Sequence, residues 1–130
     1  PHYEFANFYE APIRIDGVQW RTTEHYFQAQ KFAHHPKLCN EIRLAGTARA
    51  AFAMARRYDR HKRTDWEQCK EDIMYTALQA KFQQHAWLDR KLYATGHKLL
   101  VEHTRNDRYW GDGGDGSGKN RLGVLLMKVR

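Results

Sequence analysis

Two cysteines, Cys39 and Cys69, are all that this 130-residue chain contains. That is too few for a disulfide framework, and two reduced thiols are expected; one bridge stays open, because sequence spacing gives no distance. No run approaches the roughly 18 apolar residues of a membrane span. No basic stretch followed by an apolar block marks a secretory signal. The first residue is Pro1 and not Met, as after trimming of an N-terminus. The expected location is intracellular, cytoplasmic or nuclear, in a reducing compartment.

Other absences exclude whole chemistries. The eight histidines form no H-E-x-x-H motif and no Cys–His cluster, so no metal site is expected. Asp112 and Asp115 lack the alternating acidic spacing and the later Glu of a calcium loop. No G-x-S-x-G elbow is present for a serine hydrolase. No linker, repeat or low-complexity stretch divides the chain, so residues 1–130 are expected to form a single domain.

What is present is ordinary for a folded protein: 42% hydrophobic residues and 13% aromatic residues. The net charge is +7 and the pI about 9.6. Such an excess favours polyanions, whether nucleic acid, nucleotides or an acidic membrane surface. The basic residues are spread, however. Even the densest run, 56–63, is interrupted by Tyr58, Asp59 and His61, as on a merely soluble basic surface.

Alternating runs flank Asp16-Gly17 in IRIDGVQW (13–20), which predicts a β-hairpin with a type I′ turn. Helix signals follow. Thr22 or Thr23 caps a helix reaching about residue 34, with Pro36 blocking its continuation. Pro36 opens a second helix that Gly46 ends. Thr47 caps a third, ARAAFAMARR. Thr64 and Glu67 read as a capping box for a helix to about residue 84. A further helix covers 87–95, stopped by Gly96. Residues 98–103 (KLLVEH) read as a strand. A glycine-rich loop at 111–118 leads into an amphipathic helix over 120–128. The expected fold is a predominantly helical, compact α+β domain.

Two segments offer chemistry. At about 100° per residue, Glu24, Gln28 and Lys31 share one stripe of the first helix, within roughly 60° of each other. Phe27 and Phe32 border it, and Tyr26, Ala29 and Ala33 take the far face. Facing a cleft, the carboxylate and amine would be tuned by burial and by each other, and a desolvated lysine amine is a nucleophile. Facing water, the same stripe is a plain polar surface, with Glu24 favouring the helix N-terminus. The second segment is YWGDGGDGSGKNRLG (109–123). Its glycines allow a backbone nest for anions, with the next helix adding its positive end. Residues 113–120 approach a P-loop, but Asn120 stands where a Ser or Thr hydroxyl belongs, and only ten residues follow it. A P-loop NTPase is excluded; a phosphate-binding loop, or simply a tight surface loop, is not. Trp66, Trp87, Tyr109 and Trp110 can stack on a base or serve the core, and Trp66 and Trp110 are the better cleft walls.

FANFYEAP (5–12), TTEHYFQAQKF (22–32), DWEQCKEDIM (65–74), ALQAKF (77–82) and DRYWGDGGDGSGKNRLGVLLMKVR (107–130) occur in order across nearly the whole chain. Together they resemble the NADAR, or YbiA-like, family. The resemblance implies a helical α+β N-glycosidase acting on ADP-ribose-like N-glycosides, with no cofactor and no obligate protein partner. Some members act on ADP-ribosylated guanine in nucleic acid, and another branch on phosphoribosylamino-pyrimidines of riboflavin synthesis. It implies Lys31 as a nucleophile forming a Schiff base with the sugar, Glu24 as its acidic companion, and Asp107 orienting the ribose or stabilising positive charge. By motif position, Asn7 and Phe8 (F-x-N-F-Y), Gln28, Arg56, Trp66, Tyr109, Trp110 and the loop residues Gly118, Lys119 and Asn120 are expected to bind substrate. Arg56 follows Ala55, where the family has glycine. A non-catalytic ADP-ribose or nucleic-acid reader is the rival expectation, but a reader has no need of the nucleophile.

Overall fold

Asp16 and Gly17 sit at φ +52° and +78°, the left-handed pair that a two-residue hairpin turn requires. They join strands β1 (Ile13–Ile15) and β2 (Val18–Trp20), which pair antiparallel with Ile13 opposite Trp20. In this computed structural model, which describes residues 2–130, the chain forms two compact units, the first ending at Gln84 and the second running from His85.

The first unit adds four helices to the hairpin: α1 (Thr23–Gln30), α2 (Pro36–Arg43), α3 (Ala48–Arg57) and α4 (Trp66–Gln84). Helix α1 is central, packing against α2, α3 and α4. Its every residue from Thr23 to Ala29 is buried. The core of this unit gathers Ile13, Trp20, Tyr26, Phe32, Ile42 and the alanines of α3 and α4. Small residues at 51, 55, 77 and 80 let the helices approach closely. The expected caps form at Thr22 and Thr47, whose hydroxyls accept from His25 N–H and Ala50 N–H, each at 3.0 Å, and Pro36 takes the first position of α2.

Three expectations are corrected. Helix α1 stops at Gln30, not near 34, because the N–H groups of Phe32 and Ala33 bond three residues back, tightening the chain into a turn. The capping box before α4 does not form: the helix opens at Trp66, and the Glu67 carboxylate takes Lys70 Nζ at 2.6 Å instead. Residues 98–103, in the second unit, form no strand. Leu100 C=O and Glu102 N–H bond the side chain of Asn120, so a side chain occupies the edge a neighbouring strand would need.

The second unit holds α5 (Ala86–Ala94) and α6 (Arg121–Val129), joined by the glycine-rich segment. Leu88, Leu92, Leu100, Leu122, Leu125 and Leu126 are its buried apolar residues. The structure is therefore helical with one short hairpin, as expected. No described helix is long and apolar enough to cross a membrane. Cys39 and Cys69 are free thiols.

Candidate active site on the first helix

The polar stripe of α1 is turned inward. Glu24 is 6% exposed and Gln28 4%, and Lys31, just past the helix end, is half-buried. The first turn that carries Glu24 is fixed from several sides. His25 lies fully buried between Thr22 Oγ1 (2.7 Å) and Ala45 C=O (2.9 Å). A carbonyl only accepts, so Nε2 bears the hydrogen and Nδ1 receives the hydroxyl. Burial lowers the His25 pKa and keeps the ring neutral. Asn7 pins the other side. Its C=O accepts from Glu24 N–H and from the Thr23 hydroxyl, each at 3.2 Å, and its Oδ1 accepts the same hydroxyl at 2.9 Å.

Glu24 Oε2 receives Gln28 Nε2 at 2.7 Å. Because a carboxylate has no donor, this bond fixes the amide orientation and points Gln28 Oε1 elsewhere. That oxygen is buried with no protein donor, a state that costs stability unless something occupies it. One turn on, Lys31 Nζ lies 5.7 Å from the Phe27 ring centroid and 5.6 Å from that of Trp66. These rings meet edge to face at 5.0 Å. Trp66 is 4% exposed and so forms a wall under the amine rather than an open platform. Lys31 is also held by its carbonyl, which accepts Arg63 N–H at 2.8 Å. Burial, aided by the nearby Lys62, lowers the Lys31 pKa; Glu24, Asp59 and Glu67 oppose the shift. The arrangement raises the fraction of neutral, nucleophilic amine beside a carboxylate on the same helical face.

Asn7 thus joins Glu24, and Trp66 joins Lys31. Phe8 and Arg56 both lie beside Phe52 of α3. Phe8 and Phe52 rings are 6.4 Å apart, and the Arg56 guanidinium sits 5.8 Å from the Phe52 ring. Both phenylalanines are over a third exposed. Phe52 was not anticipated, since it reads as one more apolar residue of an alanine-rich helix. Lys81 was also missed: it is wholly buried in α4. Its signal was present, because Met74, Ala77 and Leu78, the buried residues seven, four and three positions earlier, place it on an apolar stripe.

In the second unit, Asp107, Tyr109, Trp110, Gly118, Lys119 and Asn120 make a self-consistent turn. Asp107 Oδ1 accepts the N–H groups of Tyr109 (3.0 Å) and Trp110 (2.8 Å). The loop does not present an open nest at 118–120. Gly118 N–H donates to Asp112 C=O, Lys119 N–H to Arg108 C=O and Asn120 N–H to Gly111 C=O. At the start of α6, Arg121 and Leu122 donate to the carbonyls of Tyr109 and Trp110. These five consecutive donors, among them Gly118 to Asn120 that were expected to meet an anion, are consumed by the loop itself. Asn120, at φ +50°, spends its side chain on Leu100 and Glu102. Lys119 keeps its amine 5.5 Å from the Tyr109 ring. Asp112 and Asp115 serve loop groups, His103 and Gly114 for the first and Ser117 for the second. No cluster of metal-binding side chains occurs among the described residues.

A recess of about 510 Å³ lies between the turn after α1 and the start of α4, lined by Ala33, His34, Lys62, Arg63, Thr64 and Asp65. Its cations are matched locally, Lys62 by Asp59 at 3.4 Å and Arg63 by Asp65 at 2.6 Å. The recess is wide enough for a ligand, but its charges nearly cancel, which gives it little pull on an anion.

The family model for the NADAR domain matches residues 1–130. The N-glycosidase YbiA of Escherichia coli (strain K12) is 53% identical over 98% of this chain and 79% of its own length. The NMR structure of the E. coli protein YbiA superposes with a TM-score of 0.88 at 54% identity, covering 98% of this chain and 75% of that one. A riboflavin biosynthesis protein of Vibrio vulnificus is 42% identical over 99% of this chain and 35% of that protein. The YbiA name supports an N-glycosidase chemistry.

Proposed function

Because this chain belongs to the NADAR domain family, we propose that it is an N-glycosidase hydrolysing the ribose–guanine bond of ADP-ribosylated nucleic acid through an imine on Lys31. One observation carries the reading: a half-buried amine, its pKa lowered by burial, held over Phe27 and Trp66 on the helical face that bears Glu24. A binding module gains nothing from a desolvated amine, which costs folding energy.

Glu24 gives a proton to the departing base nitrogen, or to the ring oxygen as the ribose opens. The neutral Lys31 amine attacks C1′ as the bond from C1′ to the base breaks, and the amine proton passes to Glu24. Glu24 passes that proton to the ring oxygen as the C1′–O bond breaks, which opens the sugar and leaves the protonated imine on Lys31. The Glu24 carboxylate then deprotonates the water that adds to C1′, and it returns this proton to the lysine nitrogen as the carbinolamine collapses to the free sugar and the amine. Gln28 steadies Glu24, and its unpartnered Oε1 suits a sugar hydroxyl. Phe8, Phe52 and Arg56 offer ring faces and a guanidinium for a base and a phosphate. The basic balance of +7 favours a polyanionic substrate, whose flanking phosphates contribute salt-dependent attraction.

The test is turnover of an oligonucleotide carrying ADP-ribosylguanine, followed by release of ADP-ribose, with borohydride present. A reducible protein adduct should form and be lost in Lys31→Ala; full activity in that variant would end the imine mechanism. Rates should fall with added salt. A second reading, cleavage of phosphoribosylamino-pyrimidines, is favoured by the riboflavin-biosynthesis relative. Faster turnover of that metabolite, insensitive to salt, would select it. Asp107 is tested separately: Asp107→Asn keeps the oxygen that Tyr109 and Trp110 require, so lost activity with an intact fold assigns the carboxylate charge to the reaction.

A further inference from the structure

The chemistry above makes no use of one wholly buried lysine of the first unit. Lys81 is 0% exposed. Its Nζ donates to Ala6 C=O at 2.9 Å and lies 5.8 Å from the ring centroids of both Tyr9 and Phe82. Burial lowers its pKa to about 7, against the pull of Glu4, on the N-terminal segment, toward the ammonium form; Tyr9 is the other titratable neighbour. A methionine would fill similar space without a desolvation cost. The fold therefore gains little from this lysine, and a different benefit has to account for it.

That benefit lies one peptide away. Ala6 precedes Asn7, whose carbonyl and side chain hold Thr23 and the N–H of Glu24. Lys81 reaches from α4 and fixes one end of the Ala6–Asn7 unit, and the first turn of α1 fixes the other. We propose that Lys81 is a positioning residue, gripping the Ala6 carbonyl so that Asn7 sets the Glu24 carboxylate for proton transfer at the glycosidic bond. The inference rests on the N-glycosidase reading for its catalytic part alone. Its structural part, the link from Lys81 to the Glu24 turn, is measurable without substrate.

The experiment uses the full chain with Lys81→Met, and Lys81→Gln as a second variant that keeps an N–H donor. In Lys81→Met the melting temperature at pH 7 should hold or rise. Amide exchange at Glu24 should quicken about tenfold while the amides of α4 keep their protection, as expected for a lost hydrogen bond from a charged donor. With substrate, kcat should fall about tenfold with KM little changed, the pattern of an interaction expressed at the transition state. Lys81→Gln should lie between Lys81→Met and wild type. In a Glu24→Gln background the Lys81→Met change should cost nothing further, because the group it positions is gone. Unchanged exchange at Glu24, an additive double variant, or a fall in melting temperature that accounts for the lost activity overturns the proposal. A wild-type protein without N-glycosidase turnover defeats the functional reading instead, and the exchange result then decides the positioning link alone.

Discussion

The first helix and the glycine-rich segment both carry polar groups at close spacing, yet the structure uses them in opposite ways. In the glycine-rich segment many donors find a partner within the segment itself: Asp107 holds Tyr109 and Trp110, Asp112 holds Gly114, and five successive N–H groups close on carbonyls of residues 108–112. On α1 the polar groups are buried with less than full satisfaction, an amide oxygen without a donor and an amine resting on two aromatic rings. Satisfied polar networks stabilise a shape; unsatisfied buried groups cost stability and are kept where a substrate completes them. The difference separates a loop that satisfies itself from a buried polar face with an acceptor to spare.

Lys31→Ala should break the comparison most sharply. Activity should fall at least about a thousandfold, as for loss of a covalent nucleophile. Stability should change little or rise, because the folded state no longer shelters a cation. Single-turnover rates and thermal melts measured together check this, and a large drop in melting temperature would contradict the division. Gly118→Ala should do the reverse. A Cβ at that position would lie 2.6 Å from the Asp112 carbonyl carbon and 2.7 Å from Gly111 O, backbone atoms that cannot swing aside as a side chain would. The expected cost is about 2–4 kcal/mol of stability, read by chemical denaturation.

Gln28→Met removes the orphaned oxygen and frees Glu24 from its amide. Activity should fall about tenfold while stability stays within about 1 kcal/mol of wild type, since a lost hydrogen bond and a relieved buried acceptor offset each other. A variant of full activity would place Gln28 outside the reaction. Lys119→Ala is the mildest test. With the loop N–H groups already occupied, KM should change less than about twofold. A tenfold rise would show that the segment holds an anion after all.

Titration sharpens the same contrast through the two buried lysines. Both have folded pKa values below the unfolded one, Lys81 at about 7 against 10.5. Below the folded value both states carry the proton and the full desolvation cost is present. Between pH 7 and 10.5 the unfolded chain binds more protons, so stability rises with pH across that window. Lys81→Met should flatten this slope, which denaturation at pH 7 and pH 9.5 would show. The activity profile should have an acid limb where Lys31 becomes protonated, at lower pH than an exposed lysine would give.

Much of the local structure was legible because its causes are local. Asp16-Gly17, Thr22, Pro36 and Thr47 each act through sterics or a hydrogen bond to a neighbour a few residues away, and each performs as its residue type suggests. The misreadings share a cause as well. Glu67 had a competing partner in Lys70, and residues 98–103 met the Asn120 side chain from 18 and 20 positions further on. The stripe of Glu24, Gln28 and Lys31 was visible as spacing, but spacing is the same whether a face looks inward or outward.

Residue order alone settled the helical character, the hairpin, a helix start at Thr47 and another at Thr22 or Thr23, and the placing of a carboxylate and an amine on one helical stripe. Tertiary structure decided that this face is buried, that the glycine segment spends its donors on itself, and that Lys81 lies in the interior gripping Ala6. The reason is range. Turn and cap energies are fixed within one turn of chain, whereas desolvation and hydrogen-bond satisfaction depend on what distant segments bring, and those are the terms that set an amine's reactivity.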